Sequence, residues 1–289
     1  MKFTLSIPLI AVALLSACIG DKPLSPYEAT DEEAIFNVVM IDNGRLSELV
    51  ILPASMPDTL AFIANPDSGQ PLYWHVVDST IDDFRVLFSD QPVQSPVGLV
   101  NQANVNITKT WQGTFNILNY NYEADSLERY SKEFKLTGTR SAVCQQWGQT
   151  SQRRGWLLTA IGHARFVSPG SGYPFLSNLT YDSDSNDDTI FHTGTMDLED
   201  IIRFDAGEEV TLNFSLEDDS DPALIYVPVN NYGYELAVPT PDGSGGYRVI
   251  FVMPSISRIY GQFRFLVINA GNFSGNYAAS GYSFNYRVR

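Results

Sequence analysis

The chain has 289 residues, of which 33 are acidic and 18 are basic, and its formal net charge is −15. Because like charges repel, this acidity argues against nucleic acid and anionic lipid head groups as direct partners. A chain of this length is long for one hydrophobic core and sufficient for two, so we expect two folded domains.

The first 17 residues are predicted to be a secretory signal peptide. Lys2 gives a basic start, residues 3–15 are apolar and too few to span a bilayer comfortably, and small residues follow. The stretch LSAC at residues 15–18 resembles the lipobox of bacterial lipoproteins, which are cleaved just before the cysteine and lipidated on it. The resemblance implies that residues 1–17 are removed and that Cys18 carries the lipid.

The residue after the cysteine bears on localisation. Bacterial lipoproteins that stay at the inner membrane tend to have an aspartate there, whereas this chain has Ile19. By the same resemblance we expect a cell-envelope protein anchored at the outer membrane. The alternative is a signal peptide cleaved elsewhere, for instance after Ala17, with Cys18 an ordinary cysteine.

Residues 18–29 contain two prolines and no apolar periodicity, which predicts an extended tether.

A helix is predicted to begin at Thr30. Thr30 and Glu33 have the spacing of a capping box, and apolar residues follow at helical intervals toward Gly44. A second helix is predicted near Ser79 to Phe88. From Gln102 onward, the alternation of apolar and polar residues predicts strands.

Two long strands, Lys132 to Trp147 and Gly155 to Val167, are predicted to form an antiparallel hairpin, because a polar turn joins them. A helix followed by long curved antiparallel strands, one of which begins Gly155-Trp156, resembles the nuclear transport factor 2-like superfamily. Members of that superfamily wrap a curved sheet around helices to form a cone with one open mouth. The resemblance covers residues 30–168 and implies an α+β domain; another α+β sheet fold is the alternative.

Residues 169–189 are rich in serine, glycine and aspartate and are predicted to be an acidic linker between the domains. Alternating segments in residues 190–289 predict about seven strands, the number typical of an immunoglobulin-like sandwich. The paired cysteines of antibody domains are absent, so the resemblance concerns architecture. The predicted fold class is therefore an α+β domain, a helix plus a curved antiparallel sheet in a cone, followed by an all-β immunoglobulin-like sandwich.

The candidate catalytic residues lie on the predicted hairpin. Arg140 shares a strand face with Cys144, and His163 shares one with Arg165. A pocket that holds His163 with Arg140 or Arg165 could bind an anion or perform acid–base chemistry. Neither strand carries an aspartate, so the acid or base of ketosteroid isomerase-type relatives has no counterpart here. A structural role for His163 is the alternative.

Metal and cofactor motifs are weak. Alternate oxygen ligands at Asp182, Asp184, Asn186 and Asp188 imitate the first half of a calcium loop, but Asp187 replaces the glycine that such loops require. A looser calcium site and a solvated acidic linker are the alternatives. Zinc spacings and phosphate-binding glycine motifs are absent, so we expect no cofactor.

The two cysteines also limit the chemistry. If Cys18 is acylated, no intrachain disulfide can form, because Cys144 is the only other cysteine. Cys144 falls in an apparent strand without a histidine nearby in sequence. It is therefore predicted to be a lone buried thiol.

Aromatic residues suggest where a partner would bind. Tyrosine supplies contact area at a low entropic cost, so tyrosines at predicted strand ends are candidate binding residues. They are Tyr120, Tyr122, Tyr232 and Tyr234. Three tryptophans on neighbouring predicted strands either pack in the core or form an aromatic surface for an apolar ligand, a glycan or a partner. They are Trp111, Trp147 and Trp156.

The sequence therefore predicts a lipid-anchored protein of the bacterial cell envelope that acts as a binding or assembly module. Its expected partners are the membrane, through the lipid, and an envelope protein or a small apolar ligand. The alternative function is that of an enzyme with an acid–base site in the pocket of the N-terminal cone.

Overall fold

The computed structural model describes residues 28–50, 71–121, 123–148, 152–170, 174, 176–184, 186–190, 195–218, 221, 223–229, 233–256, 259–269 and 276–289. Of these residues, 65% are in strands and 9% are in helices, so the protein is mainly β. The predicted signal peptide, Cys18 and nearly all of the predicted tether lie outside the described residues. Among the described helices, none has both the length and the apolar character that crossing a bilayer requires.

The N-terminal helix begins where the capping box predicts. The helical segments are α1 (Asp31–Phe36), a π-helix (Asn37–Asp42), α2 (Gly44–Ser47) and a 3-10 turn (Arg153–Gly155). The Oγ1 atom of Thr30 accepts a hydrogen bond from the backbone N–H of Glu33 at 3.1 Å. The carboxylate of Glu33 in turn accepts one from the N–H of Ala29 at 2.8 Å. The predicted cap is confirmed, with the return bond one residue before Thr30.

The described residues form seventeen strands in two sheets. The strands are β1 (Leu72–Phe88), β2 (Val93–Ser95), β3 (Gly98–Asn121), β4 (Ser126–Gln146), β5 (Trp156–Gly162), β6 (Ala164–Val167), β7 (Leu176–Ser183), β8 (Asn186–Ile190), β9 (Thr195–Asp197), β10 (Ile202–Phe204), β11 (Glu209–Leu216), β12 (Ala223–Pro228), β13 (Tyr234–Ala237), β14 (Thr240–Pro241), β15 (Tyr247–Val252), β16 (Ile259–Ile268) and β17 (Ala279–Val288).

The larger sheet has twelve strands, is curled, and has the central order β1-β3-β4-β6-β17-β16-β12-β13. All its described pairings are antiparallel except that of β10 with β17. The second sheet has the order β14-β15-β11-β7-β8. The long predicted strands of the first half, and those near residues 210, 250, 265 and 285, are confirmed.

Two apolar clusters hold these layers together. The first contains residues of α1, the π-helix and α2 packed on one face of the large sheet, which we call the helix face. The second lies between the opposite, outer face of the large sheet and the second sheet. Strand β17 contributes to both, because Ala279 belongs to the first cluster and Phe284 to the second. Alternation along one strand therefore links the two cores.

The segment predicted as an acidic linker contains β7 and most of β8. In β7, Leu179 and Tyr181 are buried and alternate with polar residues, so the segment has an inward face despite its acidic composition. The large sheet also joins strands from both sides of the linker, since β6 pairs with β17. The division of the chain into two domains stays a prediction.

The helix predicted near Ser79 to Phe88 is wrong, because these residues form the second half of β1. Phe84 pairs with Ile107 of β3 and packs against the first cluster. A β-bulge between Val77 and Ser79 shifts the register, which obscures the period of two in the sequence. The neighbouring strand thus overrides a weak helical spacing.

Candidate functional site

The predicted catalytic residues meet at a gap in the large sheet. Strand β4 pairs with β5 through residues 142–146 and with β6 through residues 137–139, so residues 140–141 lie between the two ladders. His163 occupies the corresponding gap between β5 and β6. It is buried, and its ring packs edge-on against Phe284 with 4.9 Å between the ring centroids. The hairpin is confirmed, but its second strand is interrupted at this histidine.

A cleft of about 790 Å³ opens at the gap, and His163, Arg140 and Arg165 all line it. We call it the His163 cleft. Arg165 is exposed and lies opposite Thr139, on the outer face. The side chain of Arg140 lies on the helix face, because it follows the alternation that buries Leu136 in the first cluster. The structure therefore brings the three residues to one gap but puts the guanidinium of Arg140 on the other side of the sheet.

A second cleft, of about 1000 Å³, lies where the end of β4 meets the helices. We call it the Trp147 cleft, and its walls include Trp147, Gln145, Leu157, Asp197 and Glu199. Trp147 is 39% exposed and Leu157 is 47% exposed, whereas the tryptophan at position 156, also in this wall, is 1% exposed. The cleft therefore contains an accessible indole, that of Trp147, next to a buried one, that of Trp156.

Hydrogen bonds fix the ring of Trp147. Its Nε1 donates to Oε1 of Gln145 at 2.9 Å, and Nε2 of Gln145 donates to Oε1 of Gln102 at 3.1 Å. Since its N–H is already used, the indole presents its apolar faces to the cleft. The sequence placed this residue among three tryptophans but could not tell which of them is exposed.

Arg153 lines the Trp147 cleft and forms ion pairs with residues at the start of the described chain. Its Nη1 donates to Glu28 at 2.6 Å and its Nε to Asp42 at 2.7 Å. The neighbouring Arg154 donates to Asp31 at 2.5 Å. The hydrogen bond from Arg153 lowers the pKa of Glu28 below its usual value. Both arginines have φ near +50°, a conformation that costs about 1–2 kcal/mol outside glycine.

A polar network crosses the helix face of the large sheet at Gln262. Its Nε2 donates to the carbonyl oxygens of three residues at the end of α2, at 3.0–3.2 Å. These are Arg45, Leu46 and Glu48. Its Oε1 accepts from Oγ of Ser283 at 2.6 Å. The buried glutamine thus caps a helix end that would otherwise leave carbonyls without donors.

Arg140 joins this network through one nitrogen, since its Nη2 donates to Oγ of Ser283 at 3.3 Å. Its Nε and Nη1 atoms are buried and, within the described part of the chain, have no hydrogen-bond partner. Burial, together with the positive charge of Arg264, lowers the pKa of Arg140 to about 9, whereas the negative charge of Glu48 opposes this change. Sequence reasoning singled out Arg140 but missed Arg264, because nothing in the sequence aligns β16 with β17.

A buried histidine, His75, lies in an aromatic cluster formed by residues distant in sequence. Its Nε2 is 2.9 Å from the hydroxyl of Tyr277, and its ring lies 4.8 Å from those of Phe115 and Phe134. Burial lowers the pKa of His75 to about 3 and raises the pKa of Tyr277 above its usual value. The histidine is therefore neutral at physiological pH.

Two of the four tyrosine candidates are described, and they lie on different parts of the large sheet. Tyr120 lies near the end of β3, and its hydroxyl donates to Asp125 in the following turn. Tyr234 begins β13, and its hydroxyl accepts from the backbone N–H of Gln262 at 3.2 Å. The other two candidates, Tyr122 and Tyr232, lie outside the described residues.

The calcium candidates lie on the β7–β8 hairpin. Asp182 and Asp184 are exposed there, whereas Asn186 and Asp188 belong to β8, whose side chains are not described. Within the described part of the chain, no group of three or more histidine, cysteine, aspartate or glutamate residues could hold a metal. The calcium site stays a prediction.

Cys144 is a free thiol on the helix face of β4. It is fully buried, and burial raises its pKa to about 12, so the sulfur stays protonated. The predicted buried thiol is confirmed.

Comparisons with protein-family models, with curated proteins and with solved structures find no match to this chain. The clefts and the polar network are therefore interpreted from their own geometry and chemistry.

Proposed function

We propose that this chain is a lipid-anchored binding module of the bacterial cell envelope, held at the outer membrane through Cys18, and that the Trp147 cleft binds its ligand. The lipobox-like stretch at residues 15–18 supports the anchor. The exposed, hydrogen-bonded indole in a cleft of about 1000 Å³ carries the binding proposal. A large aromatic side chain that is exposed to solvent beside well-packed residues is typical of binding surfaces.

The finer fold assignment belongs to the same proposal. Helices packed on a curled antiparallel sheet support a nuclear transport factor 2-like unit. A core between two sheets supports an immunoglobulin-like sandwich in the second half. Because β17 pairs with β6, the two units share one sheet.

The lining of the Trp147 cleft favours a neutral carbohydrate. The C–H-rich face of a sugar ring is apolar and stacks on an indole, while its hydroxyls hydrogen-bond planar amides and carboxylates. Gln145 supplies an amide beside the ring, and Asp197 and Glu199 supply carboxylates. These acidic side chains repel anionic sugars, so we expect neutral glycans to bind more tightly than acidic ones.

The Trp147→Ala variant tests the binding proposal. In calorimetric titrations of the full mature chain with maltohexaose, cellohexaose and chitohexaose, we expect at least one hexasaccharide to bind. The variant should weaken that binding at least tenfold, because truncating a central aromatic anchor costs about 2 kcal/mol or more. The control is Ile81→Ala, which truncates an exposed apolar side chain of β1 outside the cleft and should bind as the wild type does. Absence of hexasaccharide binding, or equal binding by Trp147→Ala, contradicts the proposal.

Acid–base catalysis in the His163 cleft is the second candidate function. The convergence of His163, Arg165 and Tyr282 on one cleft favours it, since an arginine can hold an anionic substrate beside an imidazole. The burial of His163 against Phe284 is equally expected of a structural histidine, so binding ranks first.

The enzyme candidate predicts turnover that depends on His163. Chromogenic carboxylic and phosphate esters should be hydrolysed by the wild type, and His163→Ala should abolish the hydrolysis while the far-ultraviolet circular dichroism is retained. Lack of turnover in the wild type, or turnover unchanged by the substitution, would exclude this candidate.

A further inference from the structure

The guanidinium of Arg140 is a buried charge with too few partners. The residue is 3% exposed, and one nitrogen donates to Ser283, while Nε and Nη1 have no hydrogen-bond partner among the described residues. A guanidinium has five N–H donors, and burying it unpaired costs several kcal/mol. Among the described ion pairs, none includes Arg140.

A second arginine lies opposite the same serine. Arg264 of β16 lies directly opposite Ser283 of β17 in the antiparallel register. Directly opposite residues share a face, with Cβ atoms about 5 Å apart. The guanidinium of Arg264 lies 4.1 Å from the ring centroid of Tyr234, and its Nε is buried without a hydrogen-bond partner among the described residues. The two arginines therefore share the helix face, and the positive charge of Arg264 is near enough to act on Arg140.

Carboxylates do not balance this pair of charges. Glu48 is the acidic group whose charge acts on Arg140, and it forms no ion pair with either arginine within the described structure. The carbonyl oxygen of Glu48 is already bonded to Gln262. Repulsion between two arginines in a region of low dielectric constant is relieved by an anion between them.

We propose that the helix face of the large sheet binds an oxyanion, a carboxylate or phosphate group, between Arg140 and Arg264 at Ser283. Two guanidinium forks match the oxygen geometry of such groups and bind them with charge-assisted hydrogen bonds. The oxyanion is either free in solution or part of a ligand with an apolar tail. The site is separate from the Trp147 cleft, so either proposal can fail alone.

Thermal unfolding of the full mature chain tests the site. Phosphate, acetate and octanoate are titrated at constant ionic strength set with sodium chloride, so that general salt effects are held fixed. At least one of them should raise the Tm saturably by about 2 °C or more. A response to phosphate or acetate identifies a free oxyanion, and a response to octanoate alone identifies a carboxylate with an apolar tail. No saturable rise with any of the three overturns the proposal.

Substitutions then locate the response. Arg140→Met should abolish it and raise the Tm of the ligand-free protein, because an apolar side chain replaces an unpaired buried charge. Arg248→Met, at an exposed arginine of β15 in the second sheet, is the matched control and should respond as the wild type does. Arg264→Gln keeps a polar side chain and should raise the anion concentration that gives half of the Tm increase at least tenfold. This variant tests the site if Arg140→Met does not fold. An undiminished response in either Arg140→Met or Arg264→Gln overturns the assignment.

Discussion

Replacing Trp156 by alanine is expected to lower the free energy of unfolding by about 3–5 kcal/mol, the usual cost of emptying a core site of this size. Trp156 is 1% exposed, belongs to the first apolar cluster and lies 5.9 Å from the ring of Phe88. It begins β5 and pairs with Gln146 of β4, so its loss leaves a cavity where helices and sheet meet.

Urea denaturation followed by circular dichroism measures this effect. Trp156→Phe should cost less than the alanine variant, because the indole N–H is buried with no hydrogen-bond partner among the described residues and phenylalanine removes that group. The exposed Trp147 provides the matched control, and its alanine variant should change the free energy of unfolding by less than about 1 kcal/mol. Equal stabilities for Trp156→Ala and Trp147→Ala would show that Trp156 does not pack as described.

Acidification from pH 7 to pH 5 is expected to cost the protein about 2 kcal/mol through His75 alone. The pKa of His75 is about 3 in the folded protein and 6.5 in an unperturbed chain. Between these pH values the unfolded state binds a proton and the folded state does not. The contribution of His75 to the free energy of unfolding is therefore fully present above pH 6.5 and decreases as the pH falls toward 3. The largest slope is about 1.4 kcal/mol per pH unit.

The double variant His75→Phe with Tyr277→Phe should remove this dependence. Replacing both partners avoids leaving the hydroxyl of Tyr277 buried without a hydrogen bond, so the variant should stay folded at pH 7. Its free energy of unfolding should decrease about 2 kcal/mol less than that of the wild type between pH 7 and pH 5. The pKa of Glu28 is lowered, because its carboxylate accepts a hydrogen bond from Arg153. Tyr277→Phe alone keeps the histidine and should retain the wild-type slope; a retained slope in the double variant would refute the assignment.

Helix caps and regularly alternating strands can be predicted from residues that are close in sequence. The cap at Thr30 depends on side chains three residues apart, and β4 alternates along its buried half. The strand β1 has no clear local signal, because exposed apolar residues such as Ile81 and Leu87 and the β-bulge obscure the alternation, and only pairing with β3 defines it. The register between β6 and β17 joins residues more than a hundred positions apart, for which no local pattern exists.

The candidate sites show the same limit. The sequence places Arg140 on one strand face with Cys144, and the structure confirms this. It offers either Arg140 or Arg165 as the neighbour of His163, whose ring faces the side of the sheet opposite to the guanidinium of Arg140. The partner found in the structure, Ser283, comes from the last strand. Likewise, the sequence could not distinguish Trp147 from Trp156, because their burial depends on where β4 ends and the 3-10 turn begins.

The bond between Arg153 and Glu28 has a mechanical consequence if Cys18 is embedded in a bilayer. Glu28 is the first described residue, and Arg153 also lines the cleft beside Trp147, so Glu28 lies close to the opening of the cleft. Ten residues of chain extend at most about 35 Å, so the opening would stay within about that distance of the lipid surface. Polymers attached to the same surface have a high effective concentration there, and even a low affinity for each of them would keep the protein bound.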